Sequence, residues 1–135
     1  MDLSDLAELV ELGGAPICCL GYSLEEITTT LGTSRTSYVS IPIKSLSRID
    51  SDGTAHSFWT HLRRQHSAPP DVACLVLHGF DPDLTDHALL EYVLKVNRDD
   101  PAGNSINSIV LALDSDARLT QRLAGTLGRI ISKSQ

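Results

Sequence analysis

The residues best placed to do chemistry are three aspartates that follow two apolar runs. Asp81 comes shortly after the run 72–77, and Asp114 and Asp116 come directly after the run 108–113. If these runs are neighbouring parallel strands, their carboxyl ends lie at one edge of a sheet, where α/β folds bind ligands. Carboxylate oxygens suit Mg²⁺, so the aspartates are candidate metal ligands. Aspartate is also common in the first turn of a helix, and the sequence favours that ordinary role.

The same segments resemble the Toprim domain of primases and topoisomerases. Residues 110–116 (VLALDSD) are similar to its apolar strand ending in Asp-x-Asp, and residues 77–81 (LHGFD) occupy the place of its Glu-Gly strand end. The resemblance implies a Mg²⁺-dependent phosphoryl-transfer or nucleotide-binding domain that uses the three aspartates. The sequence departs from the family pattern at His78, which stands where such enzymes need a glutamate.

A second local pattern lies at residues 21–49. The words GYSLEEI (21–27) and LGTS (31–34) resemble the first helix and turn of helix-turn-helix domains such as those of sigma factors. The resemblance implies a DNA-binding regulator whose recognition helix spans about 35–46, with Arg35 as the candidate DNA contact. Pro42 would interrupt that helix, because proline removes a backbone hydrogen bond and clashes with the preceding turn.

Residues 23–43 allow two local structures. In one, Ser23 caps a helix and Glu26 completes a capping box. In the other, residues 27–31 and 37–43 are the two strands of a β-hairpin. Three consecutive threonines at 28–30 are poor in a helix and good in a strand, so we expect the hairpin. A helix at 35–46 would favour DNA binding, and a strand at 37–43 would exclude this helix-turn-helix.

The order of predicted elements over residues 16–113 resembles an actinobacterial family, the domain of unknown function numbered 4192. The resemblance is carried by Leu20-Gly21-Tyr22, the threonine-rich segment, Ile41-Pro42-Ile43, the segment around Trp59 and the apolar run before Gly79-Phe80. It implies the hairpin at residues 27–43, and it implies no activity.

The whole pattern predicts one α/β domain over residues 1–135, with a mixed sheet made of an N-terminal β-hairpin and a C-terminal parallel βαβα unit. The two apolar runs supply the parallel strands, because strands covered on both faces are apolar at nearly every position. The last helix would carry an apolar stripe from Leu119 to Ile131, with Lys133 near its end. The other predicted elements are a helix at about 3–12, a strand within 16–22 and an amphipathic helix at about 55–66.

The composition argues against a nucleic-acid-binding or membrane-spanning protein and favours a reducing compartment. The net charge is −6, and no stretch has the dense Lys/Arg footprint of a nucleic-acid-binding surface. No apolar run reaches the roughly 20 residues of a membrane span, and no signal peptide is expected. The three cysteines, Cys18, Cys19 and Cys74, are expected to be reduced core thiols, which favours a cytoplasmic location.

These observations lead to one favoured function. No complete catalytic constellation is visible, so we expect a non-catalytic protein-interaction or assembly subunit without a cofactor, with a protein partner or a second copy as its target. Phe58 and Trp59 are the candidate interface residues, because aromatic side chains dominate interface hot spots. Helix-turn-helix DNA binding and Toprim-like chemistry remain the two alternatives.

Overall fold

A computed structural model of the chain describes residues 2–13, 16–48, 55–65, 72–80, 108–113 and 129–133. The helices are a 3₁₀ helix at Leu3–Asp5, α1 (Leu6–Leu12), α2 (Leu24–Thr33), a second 3₁₀ helix at Ile43–Arg48 and α3 (Ala55–Gln65). The strands are β1 (Ile17–Leu20), β2 (Tyr38–Pro42), β3 (Cys74–His78), β4 (Ser108–Leu113) and β5 (Arg129–Ser132). The α/β class is therefore confirmed.

The five described strands form one sheet in the order β2-β3-β4-β1-β5. All four pairings are parallel. The predicted parallel pair is present, since Leu77 of β3 is in register with Leu111 of β4. The prediction of a mixed sheet with an N-terminal hairpin is wrong, because β2 pairs with β3 and runs parallel to it. Pro42 lies on an edge strand, as expected, where a missing backbone donor is tolerated.

The hairpin prediction failed at the three threonines. Residues 24–33 form helix α2, and Thr28 and Thr30 lie inside it. The Thr28 hydroxyl donates to the Leu24 carbonyl at 3.0 Å, and the Thr30 hydroxyl donates to the Glu26 carbonyl at 2.9 Å. These bonds to the preceding turn accommodate threonine in a helix. Burial of Ile27 and Leu31, one turn apart, then outweighs strand propensity.

The predicted C-terminal helix is wrong over its last residues. Arg129–Ser132 form β5, which pairs with β1. Ile130 is 38% exposed whereas Ile131 is fully buried, the alternation expected of a strand. Residues 81–107 and 114–128 lie outside the described residues, and with them the remainder of this helix and the helix predicted between β3 and β4.

One face of the sheet packs against α1 and α2. The shared core consists of Leu6, Leu9, Val10, Ile17, Cys19, Ile27, Leu31, Cys74, Val76, Val110 and Ile131. Two long-range hydrogen bonds fix the carboxyl end of α1. Ser108 Oγ donates to the Val10 carbonyl at 3.1 Å, and Arg129 Nη1 donates to the Leu9 carbonyl at 3.2 Å. Helix α1 is thereby held against β4 and β5, since its last carbonyls gain partners there.

Strands β3 and β4 are buried on their other face as well. Leu75 and Leu77 of β3 and Leu111 of β4 have no exposed surface. This confirms the prediction that the two apolar runs are strands covered on both sides. Within the residues that the structure describes, no helix is long and apolar enough to cross a membrane.

Candidate functional site

The strand order of the sheet places the expected ligand position at the carboxyl end of β1. From β1 the chain runs through α2 to β2 at one edge of the sheet, whereas the chain after β4 reaches β5 on the other side of β1. The connections that leave the adjacent strands β1 and β4 therefore run in opposite directions across the sheet. In open parallel sheets, ligands bind outside the carboxyl ends of the strands at such a reversal.

A short connection joins β1 to α2 at this position. It consists of Gly21, Tyr22 and Ser23, because β1 ends at Leu20 and α2 begins at Leu24. Gly21 has φ 81°, a backbone conformation that glycine adopts at little cost. Its N–H donates to the Leu113 carbonyl of β4 at 2.9 Å. The connection is thus fixed to the neighbouring strand from its first residue.

Helix α2 begins with a complete capping box. Ser23 Oγ accepts a hydrogen bond from the Glu26 N–H at 3.1 Å, and Glu26 Oε1 accepts one from the Ser23 N–H at 3.0 Å. Both donors would otherwise be unsatisfied at the helix start. The side chains of the helix itself therefore occupy two N–H groups that could have received an anionic ligand.

Lys133 completes this cluster from the other end of the chain. The backbone N–H of Lys133 donates to the Leu20 carbonyl at 3.0 Å, which places Lys133 beside the end of β1. Its Nζ lies 3.1 and 3.2 Å from the two carboxylate oxygens of Glu26 and 5.8 Å from the ring centroid of Tyr22. The side chains of Lys133 and Glu26 are 50% and 39% exposed, so water screens the ion pair.

The electrostatics of this cluster disfavour a phosphate ligand. The Ser23 N–H, and secondarily Lys133, lower the pKa of the Glu26 carboxyl, so Glu26 is an anion at neutral pH. A phosphate loop of the GxxxxGK[ST] type has about eight residues that cradle phosphates with backbone N–H groups. Here three residues connect strand and helix, and a carboxylate occupies the helix start. We call Tyr22, Ser23, Glu26 and Lys133 the capped junction.

The structure brings together the strands that precede the predicted metal ligands. His78 ends β3 and Leu113 ends β4, and these strands are adjacent and parallel. The aspartates themselves, Asp81, Asp114 and Asp116, lie outside the described residues. Burial lowers the pKa of His78, which favours its neutral form. Over the described ranges, no group of three His, Cys, Asp or Glu residues could hold a metal ion.

The helix-turn-helix prediction is wrong. Its first helix exists as α2, but the segment that should form the recognition helix contains strand β2 instead. Arg35, the candidate DNA contact, lies in the turn between them with φ 57°. The Arg35 N–H donates to the Gly32 carbonyl at 3.0 Å, and the Thr36 N–H donates to the Leu31 carbonyl at 2.9 Å. Arg35 therefore terminates α2 in a Schellman arrangement, a position that usually holds glycine.

The remaining candidates divide into an interface pair and three thiols. Phe58 and Trp59 belong to α3, as predicted, but their side chains lie outside the described part of the structure.

Cys18, Cys19 and Cys74 are buried and free of disulfides. Burial raises the pKa of each thiol to about 12. The thiols are therefore protonated at neutral pH, and their complete burial confirms their assignment as core residues.

A larger feature, which the sequence did not single out, is the surface over α1 and α2. All acidic residues of the described part of the chain lie in or beside the first 3₁₀ helix, α1 and α2: Asp2, Asp5, Glu8, Glu11, Glu25 and Glu26. These helices contain no Lys or Arg. We call this surface the acidic layer. An open groove of about 400 Å³ lies on it, lined by Leu3, Glu25, Glu26, Thr29 and Thr30.

Comparison with known proteins informs the fold. No protein-family model and no curated protein matches the sequence. Among solved structures, the chain is similar to the Aeropyrum pernix ORC2 protein in its ADPNP and ADP complexes, with a TM-score of 0.51 and 10% identity over 96% of this chain and 46% of that chain. The likeness is one of fold.

Two further solved structures are similar at a lower level. One is a DNA replication initiation factor, with a TM-score of 0.45 and 14% identity over 94% of this chain and 43% of that chain. The other is Drosophila ORC bound to DNA, with a TM-score of 0.47 and 14% identity over 97% of this chain and 28% of that chain. The chain thus spans less than half the length of each of these three proteins.

Proposed function

We propose that this chain is a non-catalytic protein-interaction or assembly subunit that contacts a basic protein through its acidic layer. The observation that carries the proposal is that α1 and α2, which cover one face of the sheet, carry glutamates and contain no Lys or Arg. Glu8 and Glu11 of α1 and Glu25 of α2 are exposed and available to a partner. A surface of one sign attracts a partner of the opposite sign and accelerates its association, most strongly at low salt.

The capped junction supports a non-catalytic role. Binding of a nucleotide phosphate at a helix start relies on free backbone N–H groups and a favourable dipole. Here the Ser23 and Glu26 side chains each accept the other residue's backbone N–H, so the Glu26 carboxylate already lies at the helix start. Lys133 is also held by that carboxylate, so its charge is already compensated. Two backbone N–H groups at the usual ligand position of such a sheet are therefore occupied by the chain's own side chains.

A Mg²⁺-dependent phosphoryl-transfer or nucleotide-binding role is the second candidate. The adjacency of β3 and β4 favours it, because Asp81 follows the first of these strands and Asp114 and Asp116 follow the second. Carboxylates at neighbouring strand ends can share a metal ion. The similar Aeropyrum pernix protein is described with ADPNP and ADP, so these are the nucleotides to test on this chain.

Affinity capture with the intact chain as bait tests the interaction role. The lysate is treated with nuclease, and the retained proteins are quantified by mass spectrometry for the wild type and for Glu8→Lys/Glu11→Lys. The control is Asp99→Lys/Asp100→Lys, which changes the net charge equally at residues distant in sequence from α1 and α2. We expect a basic protein that the wild type and the control retain and the first variant loses. Equal retention by all three baits would contradict the proposal.

A further inference from the structure

We draw no further inference here: the strongest candidate, the outer edge of strand β5 with the exposed side chain of Ile130, carries nothing because none of the described residues shows what covers it.

Discussion

Lys133 and Glu26 are 107 positions apart in the chain, yet Lys133 Nζ lies 3.1 Å from Glu26 Oε2. The pair joins the residue after β5 to the first turn of α2, and both elements flank the carboxyl end of β1. Because both side chains are partly exposed, the ion pair itself adds little to the stability of the fold. Its main effect is to hold the Glu26 carboxylate in the position from which it accepts the Ser23 N–H.

The capped junction makes stability depend on pH. The pKa of Glu26 is lowered in the folded chain, so its stabilising effect is complete above the ordinary glutamate value and is lost as the pH falls through the lowered folded pKa. We therefore expect the free energy of unfolding of Glu26→Gln to fall less on acidification than that of the wild type. The measurement is urea unfolding from about pH 7 to about pH 3.

Two comparisons sharpen this test. Glu25→Gln is the matched control, because it makes the same change at the neighbouring exposed glutamate, which takes no part in the capping box. Asp2 also has a lowered pKa, through its hydrogen bonds with Ser4, so Glu26→Gln removes only part of the response. An unchanged acid response in Glu26→Gln would contradict the assignment of Glu26 as an ionised cap.

Arg35 occupies a backbone conformation that favours glycine. Its φ of 57° costs a non-glycine residue energy that glycine does not pay. We expect Arg35→Gly to raise the free energy of unfolding by about 0.5–1 kcal/mol, because relief of this strain outweighs the added freedom of the unfolded chain. The control is Ser34→Gly, at φ −83°, which should not stabilise the protein. A loss of stability in Arg35→Gly would show that its side chain makes a compensating contact.

Two glycines with open space around them should respond oppositely to alanine. A Cβ at Gly32 or at Gly79 would meet no atom within 4 Å. Gly32 lies inside α2, so Gly32→Ala should stabilise the protein by about 0.5–1 kcal/mol. Gly79 has φ 73°, so Gly79→Ala should destabilise it by about 1 kcal/mol. Chemical denaturation measures both, and the same sign for both variants would refute the assigned backbone conformations.

Strand positions were predictable where burial alone decides the structure. Residues 74–77 and 109–113 are apolar because both faces of β3 and β4 are covered, so composition was sufficient. At Thr28 and Thr30, by contrast, propensity indicated a strand and tertiary packing produced a helix. The apolar residues Ile130 and Ile131 fit either a helix stripe or a strand, and their pairing with β1 decided between them.

The candidate site was only partly predictable. The capping box of Ser23 and Glu26 has a local signature, which the sequence showed as one of two alternatives. The contribution of Lys133 depends on β5 lying beside β1, a long-range pairing with no local signal. The acidic layer likewise appears only when α1 and α2 are placed side by side on the sheet.

Nucleotide binding distinguishes the two candidate functions. For an interaction subunit with a capped junction, we expect ADP or ADPNP with Mg²⁺ to leave the melting temperature unchanged. A ligand at about 100 times its Kd would stabilise the folded chain by about 2.7 kcal/mol, which thermal unfolding detects readily. A rise in melting temperature that Asp114→Asn/Asp116→Asn abolishes would support the Toprim-like alternative and contradict the non-catalytic assignment.

The most direct test of the central claim is the Kd between this chain and its captured basic partner, measured by calorimetry at low salt. The account predicts that Glu8→Lys/Glu11→Lys weakens binding about tenfold, about 1.4 kcal/mol, and that added salt reduces this difference. The charge-matched control, Asp99→Lys/Asp100→Lys, should bind as the wild type does. If Glu8→Lys/Glu11→Lys binds with wild-type affinity, the acidic layer is not the contact surface and the proposed function is wrong.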